Sequence, residues 1–443
     1  MIRSSRASRR EIFGWSMFDF ANQAYTLLVI TVIFGDVYTR LIVADAPDYR
    51  VGNLMWSLAL CLSYLLVVLT APLFGTVMDH ARAKKRLLFA SYVATVATTA
   101  LLYFVAPGWM WLGFWLIVLS NTAYSVGESF IASFLPFLGR PDELGKISGV
   151  GWALGYAGGL VAAVFALLFL GEVSEANFER IRWVGPFAAV FFLVAAIPTF
   201  LWLREPDVGT HRPLTAGVVA AGYARLRETV RTAAHYPDLR RLFVSILFAM
   251  AGVYVIVAFS FIYGAQVIGW SEGTRTLMFI VVQVTALTGA LAFGWLQDYL
   301  GGRPTYALTL VLWIVAILAI YFVPDLTAAL NALLGTRLLD EQVFLVAGLL
   351  SGLSLGSSQS VGRALVGAFA PPGRAAELFG FWGLFSKLAA IFGLFGVGLL
   401  QLAFGLQGAV LFCILLFVAA LVPLAGIDEA RGIAAAHGGR PLS

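Results

Sequence analysis

The sequence predicts an all-α polytopic membrane protein with twelve transmembrane helices in two six-helix bundles. Of its 443 residues, 60% are hydrophobic and 12% are charged, and this charged fraction is about half that of a soluble domain. Apolar runs of roughly 20 residues recur along the chain, each long enough for a helix to cross a hydrocarbon core about 30 Å thick. Continuous apolar blocks of this kind indicate helices, because the strands of membrane barrels alternate in polarity.

The elements follow in order from a basic tail at residues 1–13. No small-residue cleavage site follows this tail, so the first apolar run is predicted to be an uncleaved span. The predicted spans lie near 14–40, 53–78, 87–106, 109–137, 147–170, 183–203, 242–268, 274–297, 305–323, 343–369, 378–400 and 405–425. They define an N-terminal bundle at 14–203, a cytoplasmic linker at 204–241, a C-terminal bundle at 242–427 and a cytoplasmic C-terminal tail at 428–443.

The positive charges between the spans predict the orientation. Basic residues concentrate in the N-terminal tail, in the segment DHARAKKR after the second span and in the 204–241 linker, whereas the alternate loops contain more acids. The positive-inside rule therefore predicts that both termini are cytoplasmic. Compact loops and an arginine-rich composition favour a bacterial inner membrane, with a eukaryotic organelle membrane as the alternative.

One glycine–acid–base pattern occurs after the second predicted span and again after the eighth. It consists of Gly75, Asp79, Arg82 and Lys84 in GTVMDHARAKKR, and of Gly294, Asp298 and Arg303 in GWLQDYLGGRP. The glycines, the acids and the last bases of the two copies are each 219 positions apart. Internal repeats are typical of transporters built from two matching bundles. We predict a gating or conformational role for the acids and bases of this pattern and for Gly75, because such groups suit contacts between helix ends.

This loop pattern resembles the signature of the major facilitator superfamily, and the resemblance implies two bundles around a central cavity. A narrower resemblance, to the autophagy-related vacuolar amino-acid effluxers and their bacterial relatives, rests on three stretches. They are GWSMFDFANQAY in the first span, ISGVGWALGYAGG in the fifth, and QSVGRALVGAFAPPGRAAELFGFWGLFSKLAAIFG across the tenth and eleventh. At Ile131 and Ala132 the chain departs from a Tyr-Asn pair that is frequent in the relatives, so its substrate is expected to differ or to be less polar.

Four ionisable residues lie well inside predicted spans: Asp19 and Glu128 in the N-terminal half, and Arg363 and Lys387 in the C-terminal half. Each costs about 2.5–3.5 kcal/mol at a helix centre on insertion scales, so such residues normally face a cavity or one another. The layout implied by the resemblance places the first three at the cavity and Lys387 at an inner gate. Pairing between these acids and bases would close the cytoplasmic side, and protonation of an acid would weaken it.

Polar neighbours support a cavity. Asn22, Gln23 and Thr26 follow Asp19 at helical spacing, Asn121 and Ser125 precede Glu128, and Gln359 precedes Arg363 by four residues. The candidate substrate or proton site therefore comprises Asp19, Asn22, Gln23, Asn121, Glu128, Gln359 and Arg363. The planar fork of arginine suits a substrate carboxylate. The alternatives are a helix-end role for Asp19, structural ion pairs for Glu128 and Arg363, and a Lys387 that reaches the membrane interface.

The sequence thus predicts a secondary active transporter that moves a small amphiphilic solute, such as an amino acid, by alternating access. A proton is the expected coupling ion, and efflux is the direction that the resemblance implies. The alternatives are another cargo (a drug, a muropeptide-like fragment or a lipid) and a receptor or enzyme on the same scaffold. No motif for a nucleophile, phosphate loop or metal is found, so no enzyme activity, cofactor or metal is predicted. The expected partners are the solute, the coupling proton and the lipid bilayer, with no nucleic acid, and the chain is expected to be a monomer.

Overall fold

Helices form the regular secondary structure of the part of the chain that the structure describes. The computed structural model describes residues 7–45, 47–81, 84–139, 144–205, 217, 224, 236–369 and 375–438. A helix satisfies its backbone amides and carbonyls within its own segment, as a hydrocarbon environment requires. The prediction of an all-α membrane protein is confirmed.

The helices of the first half are numbered in chain order. They are α1 (Arg9–Ala24), α2 (Arg50–Ala81), α3 (Lys84–Ala100), α4 (Met110–Ala132), α5 (Leu144–Phe169) and α6 (Val184–Ala195), which Ile197–Trp202 extends. Beyond Ala24 the first span continues as two π-helical segments, Tyr25–Val32 and Val37–Val43, separated by the helical turn Phe34–Asp36. The first span is therefore not one regular α-helix, and π-helical insertions are frequent at functional sites.

The second half contains the remaining helices. They are α7 (Pro237–Tyr263), α8 (Glu272–Leu300), α9 (Gly302–Tyr321), α10 (Asp340–Ala368), α11 (Ala375–Ala425) and α12 (Glu429–Gly438). A π-helical segment, Gly264–Ile268, extends α7, and a short helix, Val323–Leu334, connects α9 to α10. The long α11 turns at Gly405, whose φ of 67° lies in the left-handed region that favours glycine. This turn separates the predicted eleventh and twelfth spans.

The number of membrane crossings follows from helix length and hydropathy. Nine helices of the described residues are long and apolar enough to cross a membrane, and a tenth results if Leu411–Ala425 and Glu429–Ala435, bent by 67°, count as one span. Among the other predicted spans, α4 is 23 residues long but contains Asn121 and Glu128, and α5 contributes a shorter apolar stretch, Val150–Ala166. The multi-pass membrane fold is confirmed, and the count of twelve stays a prediction.

The chain divides into two compact units. The first unit comprises Met1–Ala44 and Ala59–Glu228, and the second comprises Asp45–Leu58 and Thr229–Ser443. The first turns of α2 therefore group with the second unit, although the sequence-based N-terminal bundle at 14–203 includes them. The sequence-based domain boundaries stay a prediction.

Glycines bring the first and fifth helices of the first unit close together. A Cβ atom on Gly151 of α5 would lie 2.7 Å from Asp19 Oδ2 and 2.8 Å from the Trp15 ring, and one on Gly155 would lie 3.4 Å from Gln23 Nε2. Small residues at a helix interface permit such an approach within a membrane. The glycine spacing of α5 thus positions the polar residues of α1 directly against it.

Candidate functional site

A chain of hydrogen bonds connects the π-helical segment of the first span to Glu128. The Thr26 hydroxyl donates to the Tyr124 hydroxyl at 2.7 Å, and the Tyr124 hydroxyl donates to Glu128 Oε1 at 2.7 Å. Tyr124 and Glu128 are four residues apart on α4, a spacing that places two side chains on one helical face. Tyr124 is buried and Glu128 is half-buried. The carboxyl group predicted from the sequence is thus oriented by a hydroxyl donor that is itself held by a second hydroxyl.

Neighbouring side chains hold the Tyr124 ring in place. The Tyr25 ring stacks on it, with the centroids 4.8 Å apart and the planes at 28°. The Tyr25 hydroxyl shares a 2.8 Å hydrogen bond with the Ser120 hydroxyl. Asn121, which is 1% exposed, donates from Nδ2 to Ser63 Oγ at 2.5 Å. Asn121 therefore joins α4 to α2 in this structure, while Tyr25 restrains the ring that orients Glu128.

The polar residues of the first span contact two different helices. Asp19 and Gln23 lie against the glycines of α5, whereas Thr26 reaches Tyr124 of α4. Asn22 is buried, at 4% exposure. The predicted polar face of the first span thus meets α5 at its α-helical end and α4 at its π-helical end.

In the second unit, the two predicted cations lie beside aromatic rings. The Arg363 guanidinium carbon is 5.8 Å from the centroid of the Trp382 ring, and Lys387 Nζ is 5.7 Å from the centroid of the Tyr254 ring. Arg363, Lys387 and the neighbouring Gln359 are half-buried. A cation within about 6 Å of an aromatic centroid is attracted by the ring. The second unit thus holds positive charge against aromatic faces contributed by α7 and α11.

Several predicted gating residues lie outside what the structure describes. Arg82 is outside the described residues, and so are the side chains of Asp79 and Asp298, although their backbones belong to α2 and α8. Gly75 lies on α2. For these residues the gating role stays a prediction.

A carboxylate clamps the start of α3, where Lys84 lies. The backbone amides of Lys84 and Lys85 donate to the two oxygens of Glu205 at 2.9 and 2.7 Å. The Lys85 ammonium also donates to the Leu203 carbonyl at 2.6 Å. Lys84 is buried, with Nζ 4.7 Å from the centroid of the Phe137 ring. An acid at a helix N-terminus satisfies free amides and complements the helix dipole, so this contact fixes the end of α3 within its own unit.

The start of α9 carries the matching clamp. The backbone amides of Gly302 and Arg303 donate to the two oxygens of Glu429 at 3.0 and 2.9 Å. The Arg303 guanidinium donates to the carbonyls of Leu424 and Ala425 at 3.2 and 2.6 Å. The sequence repeat therefore extends to a pair of carboxylates, Glu205 and Glu429, that the glycine–acid–base pattern does not include.

A polar junction joins the start of α2 to α7 and α11 inside the second unit. The side-chain amides of Asn53 and Gln266 exchange two hydrogen bonds of 2.9 and 3.1 Å. Arg50 Nη1 donates to the Leu402 carbonyl at 2.6 Å, and Gln401 Nε2 donates to the Arg50 carbonyl at 2.9 Å. Asn53 and Gln401 are fully buried. These bonds hold the first turns of α2 in the second unit.

Several charged groups inside the apolar runs form contacts that were not predicted from the sequence. Asp36 is 3% exposed and forms an ion pair of 3.1 Å with Arg40, which also donates to the Val173 carbonyl at 2.7 Å. Arg275, at 5% exposure, pairs with Glu272 at 3.1 Å. The spacings i, i+4 and i, i+3 were the available signals. Among the described residues, no three His, Cys, Asp or Glu side chains form a group that could hold a metal ion.

Solved structures with this fold are transporters. A D-xylose–proton symporter superimposes with a TM-score of 0.70 at 13% identity, covering 95% of this chain and 99% of the symporter. A peptide transporter, POT, in complex with sulfate superimposes with a TM-score of 0.68 at 16% identity, covering 97% of this chain and 98% of that one. Identities this low show that the fold is shared and nothing more about this chain.

Sequence similarity identifies relatives of this chain and the family to which it belongs. An MFS-type transporter of Bacillus subtilis, YxiO, is 24% identical over 424 residues, which cover 94% of each chain. Autophagy-related protein 22-1 of Neosartorya fischeri is 20% identical over 296 residues, 65% of this chain and 48% of that protein. The family model described as "Vacuole effluxer Atg22 like" matches residues 55–437. The chain therefore belongs to the Atg22-like family of major facilitator transporters.

Proposed function

We propose that this transporter is an effluxer of amino acids or similar small amphiphilic solutes. It works by alternating access and is coupled to protons. The observation that carries the proposal is the hydrogen-bonded Glu128 carboxyl group on a span that also bears Asn121 and Ser125. Ionisable residues inside a membrane are costly and commonly mark proton or substrate pathways. The direction is supported by the effluxer description of the family.

The distribution of charge supports proton coupling. Asp19 and Glu128 belong to the first unit, and Arg363 and Lys387 belong to the second. The four ionised side chains sum to zero. A proton taken up by Glu128 leaves one net positive charge, and this charge shifts the balance between two states if they stabilise it to different extents. Glu128 is thus the proposed coupling residue, with Asp19 as a second acid.

The proposed partner of a substrate carboxylate is Arg363. Guanidinium binds carboxylates through two parallel N–H donors, which a lysine ammonium cannot do. Gln359, four residues earlier on α10, contributes a further amide group on the same face. Lys387 and the acids and bases of the repeated loop pattern are proposed to control the opening of the site.

Transport into liposomes tests this proposal. Wild-type protein and Glu128→Gln are reconstituted, a pH gradient is imposed, and the uptake of a labelled amino-acid mixture is followed. Gradient-driven uptake is expected in the wild type and is expected to be lost in Glu128→Gln, while solute exchange without a gradient survives. Glu175→Gln, at an exposed acid outside the apolar runs, is the matched control and should behave as wild type.

The other outcomes of this experiment are equally informative. No amino-acid uptake in any variant contradicts the amino-acid assignment and favours another cargo, such as a drug, a muropeptide-like fragment or a lipid. Equal driven uptake in wild type and Glu128→Gln contradicts the coupling role of Glu128.

We also propose that the protein is a monomer in a bacterial inner membrane with both termini in the cytoplasm. Support comes from the basic residues of the N-terminal tail and of the 204–241 linker. Reporter domains fused to each terminus test the orientation. Both fusions should show cytoplasmic reporter activity, and a fusion active on the opposite side contradicts the proposed topology.

A further inference from the structure

We infer that Tyr124 is a positioning residue through which protonation of Glu128 reorganises the π-helical segment of the first span. The inference rests on the proposed function in one respect, because it takes Glu128 as the proton-binding group. It goes further in naming the neighbouring groups that respond to the proton and the backbone segment on which they act.

The number of hydroxyl protons decides the direction of the two hydrogen bonds between Thr26, Tyr124 and Glu128. Tyr124 has one hydroxyl proton, and the structure directs it to Glu128 Oε1 while the same hydroxyl accepts a proton from Thr26. Both bonds therefore run in one direction, from Thr26 through Tyr124 to the carboxylate. This polarity suits an ionised Glu128, which is an acceptor at both oxygens.

The second step is the arrival of a proton on Glu128 Oε1. That oxygen then becomes a donor, so the Tyr124 hydroxyl accepts from it and turns its own proton towards Thr26 Oγ1. Thr26 in turn directs its proton to a new acceptor, and the backbone carbonyls of the preceding turn lie within reach of a helical threonine hydroxyl. One proton enters, none leaves, and each of the two bonds reverses.

The third step connects this reversal to the backbone. Thr26 is the second residue of the π-helical segment Tyr25–Val32, and its own carbonyl accepts from the Thr31 hydroxyl at 3.0 Å. Hydroxyl groups that bond to helix carbonyls compete with the regular hydrogen bonds and often bend the helix. The protonation state of Glu128 therefore changes the balance between hydrogen-bond patterns where α1 becomes π-helical.

The surroundings restrict the change to the hydroxyl groups. Stacking against Tyr25 holds the Tyr124 ring, and Ser120 holds the Tyr25 hydroxyl. Glu128, on the same helix, and Tyr64 of α2 are titratable groups that act on Tyr124 within the first unit. With the ring held, Tyr124 responds to the proton by reversing the direction of its hydrogen bonds.

Infrared difference spectroscopy tests the inference directly. Reconstituted wild type is titrated, and the carbonyl stretch of a protonated carboxyl group that disappears in Glu128→Gln is assigned to Glu128. In Tyr124→Phe this band should move to higher frequency, because the protonated carboxyl group has lost its hydrogen bond with Tyr124. In Tyr92→Phe, which removes another hydroxyl of the first unit, one that donates to the Leu193 carbonyl, the band should stay in place.

Transport provides the second readout. Without the Tyr124 hydroxyl, ionised Glu128 loses a hydrogen-bond donor that stabilises its charge. The half-maximal pH of driven uptake should therefore move upwards in Tyr124→Phe by about one unit, as expected for the loss of one hydrogen bond to a charged group. Thr26→Val should shift the profile in the same direction by less, and Thr26→Ser, which keeps a hydroxyl, should restore it.

The outcomes separate this inference from the proposed function. A Glu128 band that is unmoved in Tyr124→Phe overturns the role of Tyr124 and leaves proton binding by Glu128 intact. The absence of any titrating band that Glu128→Gln removes contradicts the proposed coupling residue itself. A profile shifted as much in Tyr92→Phe as in Tyr124→Phe also overturns the inference, because it would reflect a general effect of removing a tyrosine hydroxyl from the first unit.

Discussion

The two units surround the half-buried charged side chains of their spans in different ways. In the first unit, Glu128 is bonded to the hydroxyl of Tyr124, which Thr26 holds in turn. In the second unit, Arg363 and Lys387 lie over the rings of Trp382 and Tyr254. Hydroxyl groups exchange the roles of donor and acceptor with a titrating carboxyl group, whereas an aromatic face stabilises a cation without taking part in proton exchange. We propose a division of labour on this basis, with proton binding in the first unit and binding of an anionic solute group in the second.

The starts of α3 and α9, in contrast, are held in the same way in the two units. Glu205 holds the first amides of α3, and Glu429 holds those of α9. The second clamp is further secured by Asp238, which receives two hydrogen bonds of 2.7 Å from the Arg431 guanidinium. The repeat thus preserves the parts that fix the helices, while the groups assigned to transport differ between the units.

The largest expected effect concerns the junction at the start of α2. The rest of α2 belongs to the first unit, so we expect the start of α2 to leave this junction during the transport cycle, and a covalent link there should stop transport. Asn53→Cys with Gln266→Cys, in a background with Cys61 and Cys413 replaced by serine, is treated with a short bifunctional thiol reagent. Uptake should fall to the background of empty liposomes.

The control for this link is Asn53→Cys alone under the same reagent, which should keep its activity. Full transport by the cross-linked double variant would show that the junction does not open during the cycle. The start of α2 would then stay attached to the second unit throughout the transport cycle.

The second prediction tests the assignment of the anionic group. Arg363→Lys retains the positive charge and loses the paired donors, so KM for amino acids should rise by about tenfold, corresponding to about 1.4 kcal/mol. Uptake kinetics across substrate concentrations measure it, with Arg337→Lys, at an exposed residue, as the control. An unchanged KM would remove Arg363 from the site and break the proposed division of labour.

The third prediction concerns the packing that positions Asp19. Gly151→Ala places a methyl group against the Asp19 carboxylate and the Trp15 ring, and overpacking of this kind costs about 1–3 kcal/mol. Thermal unfolding in detergent should show a lower Tm. Gly383→Ala is the matched control, because a Cβ there meets no atom within 4 Å, and it should leave Tm unchanged or slightly raised.

The smallest effect is expected at the two clamps. Glu205→Ala and Glu429→Ala each leave two helix amides without their carboxylate, at a cost of about 1 kcal/mol. Both variants should lose a few degrees of Tm while the substrate KM stays at the wild-type value. A loss of driven transport with Tm preserved would indicate that the clamps take part in gating and are not purely structural.

The helical fold and part of the candidate site could be predicted from sequence. Glu128 and Arg363 stand out because an ionisable residue in a long apolar run is costly and visible at once. Tyr124 has a sequence signal in its four-residue spacing from Glu128, but Thr26 is 98 positions from Tyr124 and no local pattern joins them. The clamps escaped prediction for the same reason, since Glu205 and Lys84 are 121 positions apart.

The π-helical segments were also beyond prediction. Apart from Thr31, the stretch YTLLVITV is apolar after its second residue, and it shows no periodicity that distinguishes one helix type from another. Its conformation depends on packing and on the hydroxyl bonds of Tyr25 and Thr26 with α4, which are tertiary contacts. The sequence therefore indicated where polar chemistry lies in the first span but not how the backbone presents it.

The most direct test of the account is the proton movement that accompanies transport. Liposomes that contain wild-type protein and a trapped pH-sensitive dye receive amino acids in the absence of any imposed gradient. If Glu128 carries the coupled proton, we expect a solute-dependent pH change in the wild type and none in Glu128→Gln, although both catalyse exchange of labelled solute. An equal pH change in Glu128→Gln would contradict the claim that Glu128 carries the coupled proton.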